Sequence, residues 1–445
     1  MTTTVPIQLV SPAGSLAGQA LRSQGPSLPP KWVTETSVSV YQFGAKGDGT
    51  TDDTAALAAA NAYLSANSPH VKLVFPAGIY LYSTSPNWAI PNAQIEASGE
   101  VRLRYTGTGS AVILDAGSGS QTCFNVTMGR FIVECPSTAG DAVFVRSVHH
   151  SRLSFDVRGA GAAASGLHVQ FAVCTSFPDF TCSVNEGGWY AGAIPLNGIN
   201  LDIRNSGETT SYCLFTNPII EGPSTGIRLT STLGNIFIGG TSEGCVTQGL
   251  YAAAGAHQDR FIGMDFESNG PSGARVDAFI QGTGIEMVNC DTLSRVEFGT
   301  TSNTCSLVGG RHSNVAFDAG SKGNSAVNIK YNRFGDGSTY VDGGTLNQSV
   351  GVQDGSTSFG YLTGSLSYTP GTIAAAASIA AVMTVAGATP SMPIVCSFSS
   401  DLKGLTLTAY CKTAGSVTVV FANVTGASQT IAAGTIFVQA LKMGG

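Results

Sequence analysis

Apolar and polar positions alternate in short runs along most of this chain, and from about residue 100 the runs themselves recur. Segments ending in Phe-Ile-Val-Glu134, Phe-Asp-Val-Arg158 and Asp-Phe-Thr-Cys182 are spaced by 24 residues. Segments ending in Pro-Ile-Ile-Glu221, Gly-Thr-Ser-Glu243, Met-Asp-Phe-Glu267, Asn-Cys-Asp291 and Arg-His-Ser313 follow at steps of 22, 24, 24 and 22. A second series, Gly166-Leu-His-Val, Gly226-Ile-Arg-Leu and Gly249-Leu-Tyr-Ala, runs beside the first. Period-two alternation marks strands, and a repeat of two dozen residues marks one turn of a solenoid whose coils bury their apolar faces on one another. About ten coils at an inter-strand spacing of roughly 4.8 Å predict a rod about 50 Å long.

The remaining pattern divides the chain further. Residues 1–37, with Pro12, Pro26, Pro29 and Pro30 among Ser and Gly, hold too little apolar material for a core and read as a lead-in or an anchor that orders on a partner. In the next stretch a strand enters the Gly47-Asp48-Gly49 turn, Thr51 is placed to cap a helix over Thr54 to Leu64, and Asp52 and Asp53 favour its positive end. Residues 38–335 form the solenoid, 336–367 a connector rich in Gly, Ser, Thr and Asp, and 368–445 a small β-sandwich of alternating strands around Ile394, Leu405 and Val417. The step from Cys182 to Glu221 is 39 residues, which predicts a projecting insertion of roughly 15 residues. It includes Trp189 and Tyr190, whose flat rings suit stacking on a sugar or clipping the loop to the rod.

The run FGAKGDGTTDDTAALAAA from Phe43, followed by VFPAGIY from Val74, resembles the opening of pectate-lyase-like right-handed parallel β-helix proteins, among them bacteriophage tailspikes. The resemblance implies an all-β fold, a right-handed parallel β-helix with a short N-terminal capping helix and a small C-terminal β-sandwich. It further implies a homotrimer joined to a phage tail or virion protein through its N-terminus, with a C-terminal domain that joins three chains or touches glycans.

Composition narrows the class. Charged residues are 11% of the chain and the net charge is −6, which gives no support for nucleic acid as a partner, while 56 Gly and 43% hydrophobic residues exclude a charge-rich disordered chain. No basic start precedes an apolar run and no stretch of 18 apolar residues occurs, so neither a secretion signal nor a membrane span is expected. The ten cysteines show no CxxC pair and are expected as buried thiols in a chain assembled in the host cytoplasm and carried in the virion tail. The six histidines, His149-His150 included, lack metal-ligand spacing and are expected at surface or turn positions; no metal or other cofactor is expected.

Candidate chemistry lies on one outer face. In Phe261-Ile-Gly-Met-Asp-Phe-Glu267, alternation directs Ile262, Met264 and Phe266 inward and Phe261, Gly263, Asp265 and Glu267 outward. The same phase predicts an outward column of Glu221, Glu243, Glu267 and Asp291, and a second of Ile219, Thr241, Asp265, Asn289 and Arg311. Carboxylates about 5 Å apart repel by roughly 3 kcal/mol at an effective dielectric of 20. One must then keep its proton, or a cation such as Arg311 or calcium must compensate. A protonated carboxyl beside an ionised one is what glycosidic cleavage requires. Tailspikes that cleave polysaccharide carry Asp and Glu on adjacent coils or between subunits, and by position this implies Glu243, Asp265 and Glu267 foremost, with Glu221 and Asp291, as catalytic, and Trp189, Tyr190 and Arg311 as substrate-binding. The expected function is a tailspike that binds a bacterial surface polysaccharide and depolymerises it, by hydrolysis rather than elimination. The alternatives are a non-catalytic receptor-binding or virion-decorating fibre, in which each Glu closes a strand, and a secreted pectate lyase.

Overall fold

The computed structural model describes residues 19–22, 31–34, 36–183, 194–271, 275–331, 340–350, 352–354, 361–390 and 392–441. They fall into two compact units, one reaching Ala326 and including Val341–Gln348, the other formed by Val327–Tyr340 and the chain from Ser349.

The first unit is a parallel β-helix, right-handed as crossovers between parallel strands are. One sheet stacks Val112–Asp115, Val143–Arg146, Ser165–Gln170, Asn197–Asp202, Thr225–Leu233, Gln248–His257, Val276–Ile280, Arg295–Phe298 and Asn314–Phe317, all parallel. The sequence motif Gly-Leu-His-Val is its signature: Leu167, Ile199, Ile227 and Leu250 are in register and fully buried. The glycine before each is required by close approach. A Cβ on Gly226 would sit 2.0 Å from Ser242 Oγ and 2.4 Å from the Gly249 carbonyl oxygen.

The second sheet begins with the long strands Thr127–Glu134 and Arg152–Arg158 and then splits into pairs of short ones. The pairs are Ser176–Pro178 with Thr181–Ser183, Leu214–Thr216 with Ile219–Glu221, Ile236–Ile238 with Thr241–Glu243, and Arg260–Ile262 with Asp265–Glu267. A left-handed residue bends each pair: Asp179, Asn217, Gly239 and Gly263, the last at φ 62°. The bend resets the alternation, which corrects the orientation expected for Phe261. Phe261 points inward and is fully buried, and Ile262 is half-buried on the outer side. Inside, Phe177, Phe215, Phe237 and Phe261 stack with centroids 4.7, 4.4 and 4.8 Å apart.

Two register corrections follow. Cys182 pairs with Val157 rather than Arg158, so the step there is 25 residues and Cys182 is buried. The insertion after Cys182 is two insertions, since Ser165 pairs with Asn197 but Val173 with Ser211, 38 residues on. The first contains residues 184–193, with Trp189 and Tyr190, which lie outside the described residues. The second, around Arg204, is pinned to the neighbouring coils: Arg204 Nη1 donates to the Gly119 carbonyl and Ser147 Oγ at 2.5 and 2.9 Å, and its guanidinium lies 4.2 Å over the Phe171 ring.

The helix spans Thr54–Asn67 and buries Ala56, Leu57, Ala60 and Leu64 at helical spacing. Thr51 does not cap it; it lies in the strand Asp48–Asp52 and donates to the Asp48 carboxylate. Asp52 Oδ1 instead accepts the Thr54 N–H, and the buried Asp53 carboxylate turns back to accept the Lys46 and Gly47 N–H groups at 2.6 and 3.1 Å. All ten cysteines are free thiols; eight are buried, Cys396 is half-buried and Cys174 is exposed. Two histidines depart from the expected surface or turn positions. His312 is fully buried, with Nδ1 3.0 Å from Thr292 Oγ1, and His149 packs between Phe124 and Phe171. No helix among the described residues is long and apolar enough to cross a membrane.

The interior also holds a polar spine. Asn235 Oδ1 accepts the Cys213 N–H, and the Asn235 N–H and amide donate to Asp259; Asn269 Oδ1 accepts the Cys245 N–H and the Asn269 amide donates to Asp277. Burial raises both carboxyls from 3.8 to about 6, against the opposing pull of those donors. The folded chain therefore binds these protons more tightly than the unfolded one. Their contribution to stability is complete below about pH 4 and lost as pH rises through about 6, on the order of 3 kcal/mol per group. Asp259→Asn is expected to abolish its share. Between pH 4 and 7 the urea stability of the variant should improve relative to wild type; a constant difference across that range would contradict the assignment.

The second unit packs antiparallel sheets face to face as a small β-sandwich. One contains Tyr361–Tyr368, Gly434–Leu441 and Ile394–Phe398, another Ser378–Thr384, Ser416–Ala422 and Thr406–Thr413. Val417, Val419, Phe421, Ile436 and Val438 form its core.

Candidate active site

The strand pairs of the second sheet carry two outward columns, fixed by register. One reads Arg104, Glu134, Arg158, Ser183, Glu221, Glu243, Glu267. The other reads Arg102, Ile132, Asp156, Thr181, Ile219, Thr241, Asp265, Asp291, Arg311. Thus Glu221, Glu243, Glu267 and Asp265 come together as expected. Asp291 does not join the glutamates: it pairs with Asp265, 26 residues earlier, and takes the place assigned to Asn289. The cause is a turn two residues longer than its predecessors, which sequence spacing alone did not resolve.

Charge changes character along the first column. At its start Glu134, fully buried, accepts from Arg104 Nε at 2.8 Å and from Arg102 Nη1 at 3.3 Å, so opposite charges neutralise one another. From Glu221 onward three glutamates follow in succession, each half-buried. Neighbouring strands put them about 4.8 Å apart. Ser183 Oγ donates to Glu221 at 2.9 Å, and among the described residues no cation pairs with Glu243 or Glu267. Glu243, in the middle, is held above the usual carboxyl range, first by burial, then by the charges of Glu221 and Glu267, a shared hydrogen bond with Glu221 and the charge of Asp265.

Asp291 has a different task. It accepts the Arg311 N–H at 3.0 Å and the guanidinium Nε and Nη2 at 3.1 and 2.5 Å. That two-pronged pair holds Asp291 as a carboxylate and raises Arg311, to which Asp265 contributes as well. Arg311 therefore caps the acidic columns at one end. Among the described residues no three His, Cys, Asp or Glu side chains converge as a metal ion would need. A row with one proton-retaining carboxyl between ionised ones can donate a proton and, from a neighbouring coil, supply a base or nucleophile.

Sequence and coordinates together define the first unit as a pectate-lyase-like parallel β-helix. Residues 37–254 match the model of the family described as rhamnogalacturonase A/epimerase, pectate lyase-like. No curated protein matches the sequence. Similar solved structures include ORF18 of Geobacillus virus E2, at 14% identity and TM-score 0.47, over 90% of this chain and 76% of that one. The tailspike of Escherichia coli bacteriophage HK620, solved in complex with a pentasaccharide, is 11% identical with TM-score 0.39, over 97% and 99%. The A-module of the Azotobacter vinelandii mannuronan C-5 epimerase AlgE4 is 16% identical with TM-score 0.39, over 71% and 96%.

Proposed function

We propose that this protein is a bacteriophage tailspike that binds a bacterial surface polysaccharide and hydrolyses its glycosidic bonds. The observation that carries this reading is the run Glu221, Glu243, Glu267 with its central carboxyl held protonated among ionised neighbours. Glu243 gives its proton to the leaving glycosidic oxygen. Glu267 or Asp265 supplies the second carboxylate, as nucleophile where one coil of about 5 Å separates the pair and as base to a water where the separation is larger. Glu221, on the far side of Glu243, sustains its proton affinity. Arg311 balances the charge of Asp291 and Asp265 and contacts the glycan, with Trp189 and Tyr190 as further glycan contacts. In this reading three chains assemble through the C-terminal sandwich, residues 1–37 dock on a tail protein, and the trimer is made in the host cytoplasm and carried in the virion.

The direct test is to incubate the purified protein with surface polysaccharide of its host and to assay new reducing ends together with the ultraviolet absorbance of unsaturated uronates. Reducing ends without absorbance are expected. Binding with neither product would transfer the protein to the class of non-cleaving receptor-binding fibres, and absorbance would identify an eliminase.

A further inference from the structure

The first sheet presents a second outward row, on a different face from the carboxylates. Register places Phe144, His168, Asn200, Arg228, Tyr251 and Phe279 on successive coils. The row divides into three chemical zones. In the first, His168 is held by Asp141, whose Oδ2 lies 2.9 Å from Nδ1 and whose Oδ1 accepts the Ser165 N–H at 2.7 Å. The other ring nitrogen faces Gln170 Nε2 at 3.3 Å and Asp202 Oδ2 at 3.9 Å. Imidazole and carboxylate together offer hydrogen-bond acceptors.

In the second zone Asn200 is 8% exposed and its side-chain oxygen is buried without a hydrogen-bond partner. A buried amide oxygen left so costs about 1–3 kcal/mol, which a stability-driven sequence would avoid. Arg228, the next residue in the row, forms no ion pair with any described carboxylate; its guanidinium lies 5.1 Å over the Tyr251 ring. The third zone is a platform: Tyr251 and Phe279 stack with centroids 5.9 Å apart, and the Tyr251 hydroxyl is fixed by Gln281 at 3.3 Å. By contrast, the neighbouring Arg146 is fully engaged by Asp115.

Acceptors at one end, an uncommitted guanidinium and an unsatisfied amide in the middle, and an aromatic shelf at the other are complementary to a pyranose that carries a carboxylate. We infer that the row from His168 to Phe279 is a binding subsite for acidic saccharides, in which Arg228 receives the sugar carboxylate, Asp202 and His168 accept sugar hydroxyls, and Tyr251 and Phe279 support the apolar ring face. Arg228 is the discriminating residue, because its planar fork matches a carboxylate and nothing nearby neutralises it. The row does not depend on the glutamate column, so the subsite stands whether or not that column cleaves.

The test is calorimetric titration of the full chain with oligogalacturonate, oligomannuronate and oligoguluronate, each compared with its carboxyl-reduced form. At least one oligouronate is expected to bind, with affinity at least tenfold above its reduced counterpart. Arg228→Gln removes that difference, Arg228→Lys keeps part of it, and Glu243→Gln leaves it intact. Circular dichroism of each variant confirms that the fold is retained. No binding by any oligouronate, equal binding of reduced forms, or undiminished binding by Arg228→Gln overturns the assignment. Loss of binding in Glu243→Gln alone would place the acidic sugar on the glutamate column instead.

Discussion

Glu243→Gln is expected to lower the rate of polysaccharide cleavage by about 10²- to 10⁴-fold, the range that a positioned general acid contributes. Gln is nearly isosteric and preserves the column, so the loss would report the missing proton rather than a change of shape. The pH profile offers a second reading of the same residue. Burial and the flanking carboxylates make the Glu243 proton harder to remove, so activity should persist to higher pH than an ordinary carboxyl permits and fall as pH rises through the elevated value. Glu221→Gln removes one of the charges responsible and should move that limb toward lower pH. Wild-type rates in Glu243→Gln, measured as reducing ends, would exclude Glu243 as the acid.

The largest effect on stability should come from the interior. Phe237 is fully buried between Phe215 and Phe261, with centroids 4.4 and 4.8 Å away. Phe237→Ala leaves a cavity within a continuous stack, and about 3–5 kcal/mol is expected to be lost. Coils of a solenoid are stabilised by their neighbours, so a defect in the middle weakens both contacts at once. The control is Phe124→Ala, because Phe124 is 40% exposed and has less to lose. Guanidinium unfolding followed by circular dichroism gives the comparison, with unfolding rates substituted if refolding fails. Equal losses in the two variants would show that the stack is not where stability resides.

Much of this fold was legible in the chain. The Gly-Leu-His-Val series predicted a second sheet, and its in-register glycines have a steric cause that composition alone would not suggest. The acidic column was legible as far as Glu221, Glu243 and Glu267, because the steps between them are uniform. Asp291 was displaced because a repeat counted in sequence cannot reveal a turn lengthened by two residues. Phe261 was misplaced because strict alternation assumes a straight strand, whereas Gly263 bends this one. The row through His168, Asn200 and Arg228 escaped notice for a related reason. Its members lie on coils separated by insertions, and nothing in their local sequence distinguishes an outward His from any other.

The repeat of apolar residues by itself determined that the chain winds into coils, since each coil's apolar face can be buried only by the next. It also determined that acids two dozen residues apart come near one another. Which acids share a column, which one retains its proton and which is consumed by Arg311 were decided only by the tertiary structure. These depend on differences of one or two residues in turn length, on distances of a few ångströms and on the water excluded around each carboxyl, none of which is written in the spacing of the sequence.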